Sequence, residues 1–300
     1  MARKQATQAT ASIGIIGGSG LYDMEGLERV REVKLNTPFG KPSDALILGR
    51  IDGRSVAFLS RHGGGHRISP SDINFRANIY AMKGLGVTRV IAVSAVGSMK
   101  ESVRPGDVLL PDQFIDFTKR RIGTFFDRGI VAHVAFADPI CPSLSAAMAG
   151  AAQSSGATVH RGGTYLCIEG PQFSTRGESF LYRQWGVDVI GMTNMPEAKL
   201  AREAELCYAT LALPTDYDCW HSSEESVTVE AILATLHKNV AMAKRILRAT
   251  LAVADEPRAC ACGTALDYAV LTAPDKITKE ARTRLRLLLA RRDAPAKGGR

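Results

Sequence analysis

Three hundred residues, 45% of them hydrophobic, suffice for one large α/β domain or two small ones with a sizeable core. The formal net charge is +8, yet no zinc finger or RNA-binding aromatic motif accompanies the basic residues, which argues against a nucleic-acid binder. No apolar run approaches the roughly 20 residues of a bilayer span, and the opening "MARKQATQATA" has no apolar signal-peptide core, so a cytoplasmic protein off the membrane is expected.

Residues 1–11 read as a disordered tail, and the pattern from there on is strand, loop, helix, repeated. "IGIIGGSG", Ile13 to Gly20, is a short apolar run ending in glycines, a first strand entering a tight loop. "ALILGRIDGRSVAFLS" reads as a hairpin turning at Asp52-Gly53. "DINFRANIYAMKGLG" has an N-cap candidate in Asp72, apolar residues at helical spacing and a glycine stop. "VTRVIAVSAVGS" is a buried strand emptying into small residues, and "PSLSAAMAGAAQSSG" is an alanine-rich helix with serine near its start. "GTYLCIEG", "VDVIGM" and "CYATLAL" supply three more strands, and a long helix is expected over about Val227 to Ala254. Together these give a single α/β domain over 12–256 with a central mixed β-sheet flanked by helices. Residues 257–300 follow as a "CAC" segment and a solvated basic helix with a frayed end.

The strand ends carry the chemistry. "GGSG" offers unhindered amides and the Ser19 hydroxyl, an anion cradle, although a plain tight turn fits it as well. "SRHGGGHRISP" sets Arg61, His62 and His66 around three glycines, fit for a phosphate, whereas two histidines without a third ligand make no metal site. "SAVGS" adds Ser94 and more amides. Phe173 suits stacking on a flat ring, Met192 an apolar face, and Thr193 adds a hydroxyl. In "LALPTDYDCW", Asp216 and Asp218 stand two apart at a strand's carboxyl end, where strand alternation aims both the same way unless Pro214 interrupts it. Adjacent carboxylates raise each other's protonation free energy, so a ligand is the reason to keep them. Of six cysteines, Cys141, Cys167, Cys207 and Cys219 read as small core residues. Cys260 and Cys262, one residue apart, cannot build a four-ligand zinc site alone; bland thiols and a redox-labile pair both fit.

"GIIGGSGLYD", "TPFGKPSD", "RHGGGHRISPSDINFRANIYAMKGLG", "EGPQFSTRGES", "MTNMPEA" and "TDYDCW", in this order, closely resemble the S-methyl-5′-thioadenosine phosphorylases of the purine nucleoside phosphorylase superfamily. The likeness runs from about Ile13 to Ala254. It implies a purine nucleoside phosphorylase-like fold assembled as a trimer or dimer of trimers, within purine and methionine salvage. The implied reaction is phosphorolysis of methylthioadenosine to adenine and 5-methylthioribose 1-phosphate, with inorganic phosphate as co-substrate and no metal or organic cofactor. By motif position the resemblance assigns phosphate to Ser19, Arg61, His62, Ser94, Ala95 and Thr193, with Ser174 and His66 on the phosphate and ribose side. It assigns ribose to Met192, the base to Phe173, and catalysis to Asp216 and Asp218. Val229, Ile232 and Leu233 match a pocket for the 5′-methylthio group, which His133 reaches from a neighbouring subunit. Gly191 departs from the pattern, standing where a larger polar residue is expected. The "CAC" segment lies beyond the motifs; some thermophilic relatives close such a pair as a disulfide.

In the implied chemistry Asp216 shares a proton with purine N7 and accepts from the N6 amino group, while Asp218 sets the proton distribution. The alternative within the class is a phosphorylase for adenosine or 6-oxopurine nucleosides. A phosphate- or nucleotide-binding module without chemistry is the alternative outside it.

Overall fold

A computed structural model describes residues 11–21, 23–221 and 229–294. The N-terminal tail, apart from Ala11, and the last six residues therefore lie outside the described part. The first segment of chain gives β1 (Ile13–Gly17), β2 (Glu28–Val33), β3 (Leu46–Ile51), β4 (Arg54–Ser60) and α1 (Phe75–Gly84). The middle gives β5 (Arg89–Ser98), β6 (Val108–Leu110), β7 (Gln113–Phe117), α2 (Pro142–Ser154), β8 (Val159–Arg161) and β9 (Thr164–Ile168). Then come α3 (Arg176–Gln184), β10 (Val189–Gly191), α4 (Asn194–Glu203), β11 (Cys207–Asp216), α5 (Val229–Thr250) and α6 (Lys279–Leu289).

All eleven strands join one mixed sheet in the order β2-β3-β4-β1-β5-β10-β9-β7, with β11 also on β5, β6 on β11 and β8 on β6. β1 is buried at every residue and β11 at all but its last, as strands covered on both faces must be. The β3–β4 hairpin turns at Asp52 and Gly53, both with positive φ (50° and 78°), the geometry an Asp-Gly turn favours. β5 is the pivot: it runs parallel to β1 and β11, and its last residues pair antiparallel with β10. The carboxyl ends of β1, β4, β5 and β11 consequently emerge on one side, where open α/β sheets hold ligands.

Three sequence expectations need correction. Helix α1 is capped by Asn74, whose side chain accepts from Ala77 N–H, because Asp72 is engaged two residues earlier by the Ser69 hydroxyl at 2.7 Å. Helix α5 ends at Thr250, where the chain tightens into a 3-10 turn over Leu251–Asp255. Helix α6 is not simply solvated. Ala281, Leu285, Leu288 and Leu289 are buried in the main core, each leucine contributing on the order of 2 kcal/mol of transfer free energy. The tail's arginines are tied inward as well: Arg284 pairs with Asp127 and Arg291 with Glu205 and Asp267.

Candidate active site

A cavity of about 500 Å³ opens at those carboxyl ends. Gly18 and Gly20 after β1, Arg61, His62 and His66 after β4, and Ser94 to Gly97 of β5 line it. So do Phe173 and Ser174 before α3, Met192 and Thr193 after β10, and Asp216 and Asp218 at the end of β11. Six loops distant in sequence thus meet in one place. Ser19 lies in the short turn after β1, with its side chain outside the described residues.

One end of the cavity is lined by hydroxyls. Ser94 Oγ lies 3.1 Å from the Tyr165 hydroxyl and 3.3 Å from Thr193 Oγ1. Tyr165, fully buried in β9, was not singled out from the sequence, but its hydroxyl lies against Gly191. A Cβ on Gly191 would lie 2.0 Å from the Tyr165 hydroxyl oxygen. With that hydroxyl in place, only glycine fits at 191.

Arg61 sits beneath these hydroxyls, 2% exposed, in a bidentate pair with the fully buried Glu197: Nε to Oε2 and Nη2 to Oε1, both 2.9 Å. It also donates to the carbonyls of Val93 and Ile16. Burial works against its charge, but the Glu197 carboxylate overrides this and holds the guanidinium pKa above its ordinary value. Four of the five guanidinium N–H groups are engaged by protein acceptors, and the fifth, on Nη1, has none among the described residues. Glu197 also accepts from the Tyr208 hydroxyl at 2.9 Å, and Asn194 donates to that hydroxyl at 2.7 Å. The "MPEA" stretch therefore carries a buried anion that sequence reading passed over, because its partner lies 136 residues away.

His62 stacks on His66 with ring centroids 4.1 Å apart. Its Nδ1 lies 2.9 Å from the Ile68 carbonyl, which only accepts, so Nδ1 carries the proton and a neutral ring leaves Nε2 as an acceptor. Burial, with help from the Arg61 charge, lowers the His62 pKa to about 4.

At the other end, the strand alternation does break. The β11–β5 register shifts between Pro214 and Asp216, and Asp218 adopts φ 54° at the start of a 3-10 turn. Both carboxylates still line the cavity, folded over Gly97, where a Cβ would lie 3.1 Å from Asp216 Oδ1. Asp216 Oδ1 accepts from the Asp218 N–H at 2.8 Å and Oδ2 from the Thr215 hydroxyl at 2.7 Å. Asp218 Oδ2 accepts from the Ser179 hydroxyl at 2.6 Å. Burial is the main cause that raises the Asp218 carboxyl above its ordinary value. Ser174 Oγ is buried with no hydrogen-bond partner among the described residues. Phe173, 58% exposed, stands at the rim.

His133 is exposed and does not line the cavity of this chain. The side chains of Val229, Ile232 and Leu233 lie outside the described residues; Val240, further along α5, does line the wall. Arg121 was also missed: its guanidinium donates to the carbonyls of Met192, Met195 and Glu169, tying together the loops that carry Met192 and Phe173.

Residues 12–252 match the family described as the phosphorylase superfamily. The S-methyl-5′-thioadenosine phosphorylase of Geobacter sulfurreducens is 59% identical over 278 residues, covering 92% of this chain and 97% of the relative. A methylthioadenosine phosphorylase from an Antarctic soil metagenomic library superimposes with a TM-score of 0.90 at 50% identity, over 93% of this chain and 99% of that one. A variant of the adenosine/methylthioadenosine phosphorylase of Schistosoma mansoni, solved with methylthioadenosine, gives 0.78 at 34% identity, over 95% and 99%.

Proposed function

The chain belongs to the phosphorylase superfamily, and from that membership and its close relatives we infer that it phosphorolyses S-methyl-5′-thioadenosine. It is a pentosyltransferase: phosphate attacks C1′ as the N-glycosidic bond breaks, giving adenine and 5-methylthioribose 1-phosphate. The observation that carries the reading is the division of one cavity into a hydroxyl- and histidine-lined end and a two-carboxylate end. The roles of individual residues, inorganic phosphate as the sole co-substrate, trimeric assembly, a cytoplasmic location and a place in purine and methionine salvage are part of the proposal.

Phosphate is assigned to Ser94, Ala95, Thr193, His62, the remaining Arg61 N–H and the amides around Ser19. The "GGSG" amides add donors without adding bulk. The ribose lies over Met192 with Ser174 and His66 beside it, and Phe173 closes on the base. The 5′-methylthio group is assigned to the apolar wall of α5, with Val229, Ile232 and Leu233 continuing from Val240, and with His133 from a neighbouring copy. Breaking the glycosidic bond builds positive charge on the sugar and negative charge on the purine. A fixed phosphate anion stabilises the first, and proton sharing at N7 stabilises the second. Asp216 accepts from N6 and N7, and Asp218, whose burial favours the protonated form, keeps a proton within the pair. Adenine release from methylthioadenosine that requires inorganic phosphate supports this reading. Release without phosphate points to a hydrolase, and no release to a binding module.

Two further outcomes are expected at the phosphate end. Tyr165→Phe removes one partner from Ser94, whose hydroxyl keeps Thr193 and the Ala95 carbonyl, so the phosphate KM rises about five-fold, the value of one hydrogen bond near 1 kcal/mol. The nucleoside KM stays within error in the same steady-state assay. Burial holds the His62 imidazolium pKa down at about 4. An adjacent phosphate anion favours the imidazolium, so its NMR titration midpoint moves up in saturating phosphate. By linkage, phosphate binding then takes up protons, and affinity weakens as pH rises through the raised midpoint.

A further inference from the structure

The sulfurs of Cys141, Cys207, Cys260 and Cys262 converge at the opposite end of the sheet from the cavity. Cys207 opens β11 beside Arg89 of β5, eight residues and about 26 Å of strand away from Thr215. Cys141, immediately before α2, is held next to it by a 2.8 Å bond from its N–H to the Tyr208 carbonyl. Cys260 and Cys262 arrive from the C-terminal segment. All four are free thiols, three of them buried. Each Sγ lies within 4.8 Å of every other, with Cys207 and Cys260 at 3.4 Å. Packing alone gives no reason for four thiols from three separate segments to point at one centre.

The geometry suits an ion. Four sulfurs at about 2.3 Å from a tetrahedral centre stand about 3.8 Å apart, so the cluster closes on one with shifts of about an ångström. The loop is already anchored. Arg258 Nη1 donates to the Glu205 carbonyl at 3.0 Å, the Leu266 N–H to Glu205 Oε1 at 3.1 Å, and Arg291 Nε to Glu205 Oε2 at 2.8 Å. Arg258 folds over the loop so closely that a Cβ on Gly263 would lie 2.6 Å from its Nη2. Four thiolates around a divalent ion leave two negative charges, and the segment that brings Cys260 and Cys262 carries the basic Arg258 two residues before the first of them.

We propose that Cys141, Cys207, Cys260 and Cys262 form a structural tetrathiolate site for zinc(II). Thiolates select a soft or borderline ion, and four protein ligands leave no open position for catalysis. The four thiols give up their protons as the ion binds. The ion then ties the C-terminal segment to the start of β11 and the start of α2. Cys141 and Cys207, buried in the core as the sequence reading expected, supply the two ligands that the "CAC" pair lacks.

Protein purified under reducing conditions is expected to carry about one zinc per chain by plasma mass spectrometry. A mercurial should release it, and cobalt(II) substitution should give the absorption of a tetrahedral tetrathiolate. The Cys260→Ser, Cys262→Ser double variant should lose the metal and melt at lower temperature while still releasing adenine, since no ligand lines the cavity. Should that variant fail to fold, the metal content of the wild-type chain decides alone. An intact mass four hydrogens short without metal, meaning two disulfides, overturns the proposal. So does a reduced chain with four reactive thiols that takes up no added zinc, or a double variant that keeps it.

Discussion

Replacing Arg61 by Ala is expected to cost about 3–5 kcal/mol of stability in urea unfolding, with loss of phosphate saturation. The reason is Glu197, fully buried against the guanidinium through two 2.9 Å bonds. Without Arg61 its charge is left in the core, and among the described residues only the Tyr208 hydroxyl still serves it. A phosphate contact alone predicts a different result, namely a raised phosphate KM in a protein of ordinary stability. The double variant Arg61→Met, Glu197→Leu separates the two effects. Apolar replacement of a buried pair is often neutral, so the double variant should regain most of the lost stability while its phosphate KM stays high. An Arg61→Ala protein as stable as wild type would show that the ion pair does not hold this end of the cavity.

That pair marks the limit of what the sequence makes legible. The glycines, hydroxyls and histidines of the strand-end loops are local signals, and nearly all the residues they pointed to line one cavity. What stays hidden is whatever depends on a distant partner. Glu197 looks like one more helix acid until β4 delivers Arg61 to it, and Tyr165 looks like a core aromatic until its hydroxyl fills the space over Gly191. The same holds for the thiols, where each of three segments carries too few to mean anything alone. Caps and helix ends failed for a smaller reason: Asp72, Asn74 and Ser69 compete within one turn, and hydrogen-bond geometry that composition does not encode chooses among them. Helix α6 misled because its four buried residues are spaced among charges that dominate its composition.

Asp216→Asn is expected to lower kcat/KM for methylthioadenosine by about two to four orders of magnitude, the usual contribution of a positioned proton-transfer group. The site dictates how the new amide sits. Asp218 N–H donates to Oδ1 of residue 216, so the Asn oxygen takes that bond and its NH2 turns toward Thr215. The Thr215 hydroxyl then keeps the Val96 carbonyl as its acceptor, at 3.3 Å. The fold is preserved, but a group that accepted at two oxygens now accepts at one and donates at the other. A 6-aminopurine offers an N–H at N6 and needs an acceptor at N7 once protonated, so it loses a partner and meets donor against donor. A 6-oxopurine offers an acceptor at that edge and gains the amide instead. Leaving a polar group unpaired in a buried site costs about 1–3 kcal/mol, so the ratio of kcat/KM values should move toward inosine-like substrates by about five- to a hundred-fold. The measurement is kcat/KM for both substrate types in wild type and variant, beside a melting curve to show that the fold is kept. A ratio that does not move would take the base-reading role from Asp216 and pass it to Asp218. Its carboxyl is already raised by burial and tied to Ser179, and it would then donate its own proton to N7.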